Sequence, residues 1–125
     1  MKAFLEKFDF GGDLLFADNL TDTEQTTRFT SQLQEAAANT SYGIPFLIAA
    51  DQEGGRITRL GTGMANCGNM ALGTTGNPDY AYDSANIIVK EMSVVGINTD
   101  FAPVMVILLR TAIPVCRSWI VPMTS

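Results

Sequence analysis

Apolar residues along this 125-residue chain fall into two patterns, short continuous runs and stripes at helical spacing, and the two alternate. Phe4, Leu5 and Phe8 share one helical face, so Met1 to Phe10 reads as the end of a helix that Gly11-Gly12 stops. The run Asp13 to Phe16 predicts a short strand, with Ala17-Asp18-Asn19 as a polar turn after it. Thr21-Asp22-Thr23-Glu24 has the form of a capping box, in which the Thr21 hydroxyl and the Glu24 carboxylate would satisfy backbone donors at a helix start. From there to about Asn39, the residues Phe29, Leu33, Ala36 and Ala37 line one face and polar residues fill the other. Asn39 to Gly43 are helix-ending types, and the run Phe46 to Ala50 predicts a second strand. Gly61 to Thr75 is glycine-rich and irregular, a long loop with one short helical turn. Asn77-Pro78-Asp79 then supplies an N-cap, a proline at the first helical position and an acid in the first turn. Ala81, Ala85, Ile88, Met92 and Val95 form the buried stripe of this helix, Gly96 ends it, and Ile97 to Val104 predicts a third strand.

Strands that alternate with helices across short connections predict βαβ units and a parallel sheet. The expected class is α/β, with about three parallel strands and two crossover helices. A parallel sheet needs both faces covered, and three strands do not complete such a fold. The chain therefore reads as one sector of a larger α/β architecture.

The stretch Ile44 to Leu60 carries the candidate chemistry. Its apolar run stops at Asp51, and a polar turn with two carboxylates and two arginines follows at once. A buried strand that delivers side chains to a site at its C-terminal end looks like this. A buried strand followed by a solvated loop looks the same, and the residues by themselves leave both readings open. Gly54-Gly55 allows the backbone to turn sharply or to approach a ligand closely.

Composition narrows the classes. The formal net charge is −5 and Lys and Arg are scattered, so neither nucleic acid nor an anionic membrane surface is an expected partner. The longest apolar run, Val104 to Leu109, is far shorter than the ~20 residues that cross a bilayer. Glu6 and Asp9 interrupt the apolar core that a signal peptide requires, so a cytoplasmic location is the expectation for the chain as written. Cys67 and Cys116 make no metal-ligand spacing and no disulfide framework. The sequence has no histidine, which excludes histidine triads, relays and zinc sites, and neither metal nor cofactor is expected.

At Asp51-Gln52-Glu53-Gly54-Gly55-Arg56 the sequence resembles the signature of glycoside hydrolase family 3, in particular its bacterial β-N-acetylhexosaminidase branch, where D-Q-E-G-G-R-V follows a barrel strand. Three further segments are similar to that family. GGDLLFADNLTD resembles G-G-V-I-L-F-x-R-N-I-x-D, MALGTTGNPDYAY resembles M-A-L-G-A-T-G-D-P-x-x-A-Y, and EMSVVGINTDFAPVM resembles E-L-x-x-L-G-I-N-x-x-F-A-P-V-x-D. The four segments stand in the family's order and cover roughly Gly11 to Met105. The resemblance implies the N-terminal (β/α)8 barrel of TIM type, of which this chain would be a part, with sites at the C-terminal ends of the strands.

Carried onto this sequence, the resemblance implies that Asp51 is a substrate-binding carboxylate that accepts hydrogen bonds from sugar hydroxyls. Glu53, Arg56 and Arg59 are expected to hold the loop by ion pairs and hydrogen bonds, and Asp100 to stand near the pocket mouth. The implied partner is a carbohydrate, a β-linked N-acetylglucosamine or glucose unit. Retaining glycosidases need a nucleophilic carboxylate and a proton donor about 5 to 5.5 Å apart. In the family both lie downstream of these segments, and its hexosaminidase branch uses an Asp-His pair that a chain without histidine does not contain. No catalytic residue is therefore assigned, and the chain alone is expected to be inactive or a weak sugar binder. An unrelated flavodoxin-like module lacks support, because no phosphate-binding glycine motif follows any strand.

After Met105 the family pattern breaks. VILLRTAIPVCRSWIVPMTS has neither the family's aspartate nor an amphipathic pattern, as a shifted reading frame would leave it. The expected organisation is a barrel sector over residues 1–105 and a divergent tail over 106–125. Val104 to Leu109 is β-prone and uncharged, and the open edges of a barrel sector are expected to favour self-association.

Overall fold

The computed structural model describes residues 4, 7–61, 63 and 65–103. The apolar run Val104 to Leu109 and the tail lie outside the described residues. In chain order the elements are β1 (Gly12–Leu15), a 3-10 turn (Ala17–Asn19), α1 (Thr23–Ala38), β2 (Leu47–Ala50), α2 (Asn69–Thr74), α3 (Pro78–Val94) and β3 (Thr99–Asp100). The strands form one parallel sheet in the order β1-β2-β3, with Leu15 beside Ala50 and Ala50 beside Asp100. Helix α1 crosses from β1 to β2 and α3 from β2 to β3, which are the two crossovers expected, and α2 is the short turn within the long loop.

Side chains alternate along each strand, so one face of the sheet meets the helices and the other does not. Leu15, Ile48 and Ala50 point into the core, where they join Leu33, Ala36 and Ala37 of α1 and Ile88 and Met92 of α3. Leu47, one step out of phase with Ile48, is 59% exposed. Among the described residues the sheet thus has one side closed by helices and one that no helix covers, where Leu47 is exposed although Ala49 beside it is buried, whereas a finished parallel sheet is covered on both.

Helix α1 starts one residue later than its capping pattern predicts. Asp22 is the N-cap and its carboxylate accepts from the Gln25 amide at 2.7 Å. Gln25 answers with both ends of its side chain, accepting from Thr21 N at 3.2 Å and donating to Asn19 O at 3.1 Å. A carboxylate is favoured at the positive end of a helix, and a glutamine amide can donate and accept where the Glu24 carboxylate can only accept. The Asn77 cap of α3 is as predicted, with Oδ1 accepting from Asp79 N at 3.0 Å. At the other end Gly96 N donates to Ser93 O and Ile97 N to Met92 O, a Schellman closure in which Gly96 takes φ +78°. A Cβ on Gly96 would stand 2.6 Å from the Thr30 hydroxyl, which itself donates to Val95 O.

Two strands start later than their apolar runs because side-chain amides replace the main chain there, and β3 also stops at Asp100, so residues 101–103 of the expected strand Ile97 to Val104 are not strand. The Gln34 amide accepts from Phe46 N and donates to Phe46 O, so Phe46 precedes β2 instead of opening it. Asn98 accepts from Ile48 N and donates to Phe46 O, and Ile97 still belongs to the exit of α3, which leaves β3 to start at Thr99. Residues 7 and 8 are helical, with Asp9 in the left-handed region at φ +47°, and the rings of Phe4, Phe8 and Phe10 pack on one another. Among the described residues no helix is long and apolar enough to cross a membrane.

Candidate functional site at the C-terminal edge of the sheet

Asp51 follows Ala50, the last residue of β2, and alternation puts it on the opposite face, the side that no helix covers among the described residues. Its Oδ2 receives Arg59 Nη2 at 3.2 Å, and the two side chains are 26% and 23% exposed. Among the described residues no partner is seen for Asp51 Oδ1, so one carboxylate oxygen is engaged and the other is open. The Arg59 guanidinium also lies 5.6 Å from the centre of the Phe16 ring, which stands at the end of β1. Asp51, Arg59 and Phe16 therefore form one group at the mouth of the open face.

The loop that carries Arg59 is held from below by Gln52. That side chain is 1% exposed, and its Oε1 accepts from Arg59 N at 2.7 Å and from Leu60 N at 3.1 Å. Gln52 N in turn donates to Asp100 Oδ1 at 3.0 Å, which ties the loop to β3. Glu53 N donates to Ile57 O, and the chain reverses through Gly54 at φ +78° and Gly55. Any Cβ on Gly54 would stand 2.8 Å from Cys67 O, and Gly55 N donates to Asn66 O, so the turn is pressed against residues 66–68. Cys67 is a free, exposed thiol.

The remaining sequence candidates are placed differently. Glu53 is buried within the loop, whereas Arg56 is exposed and makes no ion pair among the described residues. Asp100 pairs in register with Ala50, so it faces the helical side and not the open face with Asp51. It borders a cavity of about 220 Å³ between the loop, α2 and α3, lined also by Gln52, Glu53, Asn69, Ser84 and Ile88. Burial raises the Asp100 pKa above the ordinary carboxylate range, the Gln52 amide opposes this, and the nearby Asp51 charge adds to it. Among the described residues no group of three His, Cys, Asp or Glu side chains could hold a metal ion.

An acid with a raised folded pKa stabilises the fold fully below its unfolded pKa, and that contribution is lost as pH rises through the folded value. Asp100→Asn keeps an acceptor oxygen for Gln52 N and cannot ionise. Thermal melts are expected to show the variant gaining on the native chain as pH rises from below the carboxylate range to neutrality. A melting difference that does not change with pH would contradict this account of Asp100.

Gln52 and the Phe16–Arg59 contact have no counterpart in the expected site. The phase of β2 held the signal for Gln52, because continuing the alternation from Ile48 and Ala50 turns position 52 inward. The ring contact joins residues that are distant in sequence, and no local pattern announces it.

Comparison with known proteins accounts for this arrangement. Residues 1–116 match the profile of the glycosyl hydrolase family 3 N terminal domain. Beta-hexosaminidase A of Pseudoalteromonas piscicida is 39% identical over 108 residues, which is 82% of this chain and 18% of that protein. The solved family 3 beta-N-acetylglucosaminidase of Paenibacillus sp. str. FPU-7 superposes with TM-score 0.77 at 41% identity, over 82% of this chain and 19% of that one. NagZ of Neisseria gonorrhoeae, solved in complex with N-trifluoroacetyl-D-glucosamine, superposes with TM-score 0.63 at 27% identity, over 82% of this chain and 31% of that one. The chain thus spans under a third of the length of each of these relatives. The parallel three-stranded sheet, the crossover helices and the loop after β2 are those of a TIM-type barrel, and the chain belongs to glycoside hydrolase family 3, within its N-terminal domain.

Proposed function

We propose that this chain supplies part of the sugar-binding subsite of a family 3 glycosidase that acts on terminal β-linked N-acetylglucosamine by a retaining mechanism, with glucose units as the alternative substrate. The observation that carries this reading is the Asp51 carboxylate, half engaged by Arg59 and half open, at the C-terminal edge of the sheet on its uncovered side. An open carboxylate oxygen accepts a sugar hydroxyl strongly, and the guanidinium holds the group in one orientation. The names of the relatives, and the glucosamine analogue in one of them, support N-acetylglucosamine as the sugar.

Binding and bond cleavage are divided in this reading. Asp51 orients the sugar, Glu53 and Gln52 support the loop, and the nucleophile and the proton donor come from outside these 125 residues. The chain alone is then a weak sugar binder without turnover. The purified chain is expected to release no chromophore above background from a chromogenic β-N-acetylglucosaminide. It is expected to bind N-acetylglucosamine with an affinity that Asp51→Ala lowers about tenfold or more, the worth of a hydrogen bond to a charged group. Turnover by the chain alone would overturn the division of roles, and unaltered binding in the variant would overturn the role of Asp51.

The same reading extends to self-association. Among the described residues β1 and β3 pair on one side only, and Leu47 is exposed on the open face. Sedimentation velocity is expected to show mass rising with concentration. A monomer at every concentration, with one sharp unfolding transition, would contradict it.

A further inference from the structure

We infer that Phe16 is a positioning residue for sugar binding, whose ring fixes the Arg59 guanidinium and through it the Asp51 carboxylate; the inference rests on the sugar-binding role proposed for Asp51.

The geometry of Arg59 requires such a support. Its main-chain N is held by Gln52 Oε1 at 2.7 Å, and its far end reaches Asp51 through a single contact of 3.2 Å. Between these points lies a long side chain with several free torsions, and ordering an arginine costs much rotamer entropy. Among the described residues Arg59 Nε is buried without a hydrogen-bond partner, so no polar contact holds the middle of the side chain there. The group nearest to a support is the Phe16 ring, whose centre lies 5.6 Å from the guanidinium carbon over the ring face.

Phe16 is built to hold still, although it is 49% exposed. Its amide donates to Asn19 Oδ1 at 2.9 Å and its carbonyl accepts from Asn19 N at 2.8 Å, so both sides of its backbone are clamped by the turn after β1. Phe16 is the N-cap of the 3-10 turn, and this fixed backbone sets where its exposed ring can reach. A ring face attracts a guanidinium through its quadrupole. Leucine would keep the apolar cover and lose that attraction, and tyrosine would keep both.

The test uses the 15N-labelled 125-residue chain and two readouts, the affinity for N-acetylglucosamine and the solvent exchange of the Arg59 Nε–Hε proton. Phe16→Leu is expected to weaken binding about two- to fivefold and to speed that exchange, while Phe16→Tyr leaves both near native. On an Arg59→Ala background, Phe16→Leu is expected to add nothing. An equal loss on both backgrounds would overturn the inference, because Phe16 would then act without Arg59. Unchanged affinity and exchange in Phe16→Leu would overturn it as well, and so would loss of amide dispersion in that variant, which would make Phe16 a residue of the fold. If the native chain shows no affinity for the sugar, or Asp51→Ala binds as well as native, the proposed function fails. The Arg59 resonance would still decide whether Phe16 holds the guanidinium.

Discussion

Gln52→Ala is expected to destabilise the chain by about 2–4 kcal/mol, although Gln52 lies in the middle of a polar loop sequence. The reason is that one oxygen serves two donors, Arg59 N and Leu60 N, and Gln52 itself is fully buried. A buried donor that loses its acceptor costs about 1–3 kcal/mol. Leu60 N is deeply buried and stands at the upper end of that range, whereas Arg59 N is nearer the surface and water can partly replace the acceptor. Release of the loop also frees Arg59, so the variant is expected to lose sugar affinity together with stability. Denaturant unfolding followed by circular dichroism measures the first effect, and a loss under about 0.5 kcal/mol would show that the loop does not depend on Gln52.

Leu33→Ala is expected to cost about 2–5 kcal/mol, a large share of the stability of a small domain. Leu33 is 1% exposed and sits on α1 between Ala36, Ala37 and the helical side of the sheet, where Leu15 and Ile48 lie. Its neighbours belong to regular elements and cannot collapse freely into the space, so most of the cavity term should persist. Val94→Ala is the control, because Val94 is exposed at the end of α3 and its loss is expected to fall within about 0.5 kcal/mol. Similar melting points for the two variants would contradict the placement of the core.

The layout of the fold was legible in the sequence because its signals are local. Asn77-Pro78-Asp79 marks a helix start by capping chemistry alone, and the stripe Ile88, Met92 marks the face it buries. Gly96 is legible for the same reason, as only glycine sits easily in the left-handed turn that closes α3. Starts were misplaced by one or two residues where a side chain took over a backbone role, and β3 stops at Asp100, short of the expected end at Val104. Gln34 and Asn98 complete hydrogen bonds at Phe46 and Ile48 from elsewhere in the chain, which a reading by hydrophobic run cannot register. Asp22 displaces Thr21 as a cap because Gln25, not Glu24, closes the box.

The site divides in the same way. Asp51 could be found from the abrupt end of an apolar run together with the family resemblance, and the structure puts it at the open edge. Asp100 could not be assigned its face from the sequence, because that depends on register. Pairing with Ala50 turns it to the helical side, where burial raises its pKa. Arg59, Gln52 and Phe16 make a group only through contacts between the ends of two strands and a loop, and such contacts leave no trace in spacing.

The central claim is that the open edge at Asp51 binds sugar, and amide correlation spectra of the native chain and of Asp51→Ala, titrated with N-acetylglucosamine, test it most directly. The account predicts saturable shifts at the amides of Phe16, Asp51, Gln52 and Arg59 in the native chain and their loss in the variant. Absence of shifts in the native chain, or the same shifts in both, would contradict it.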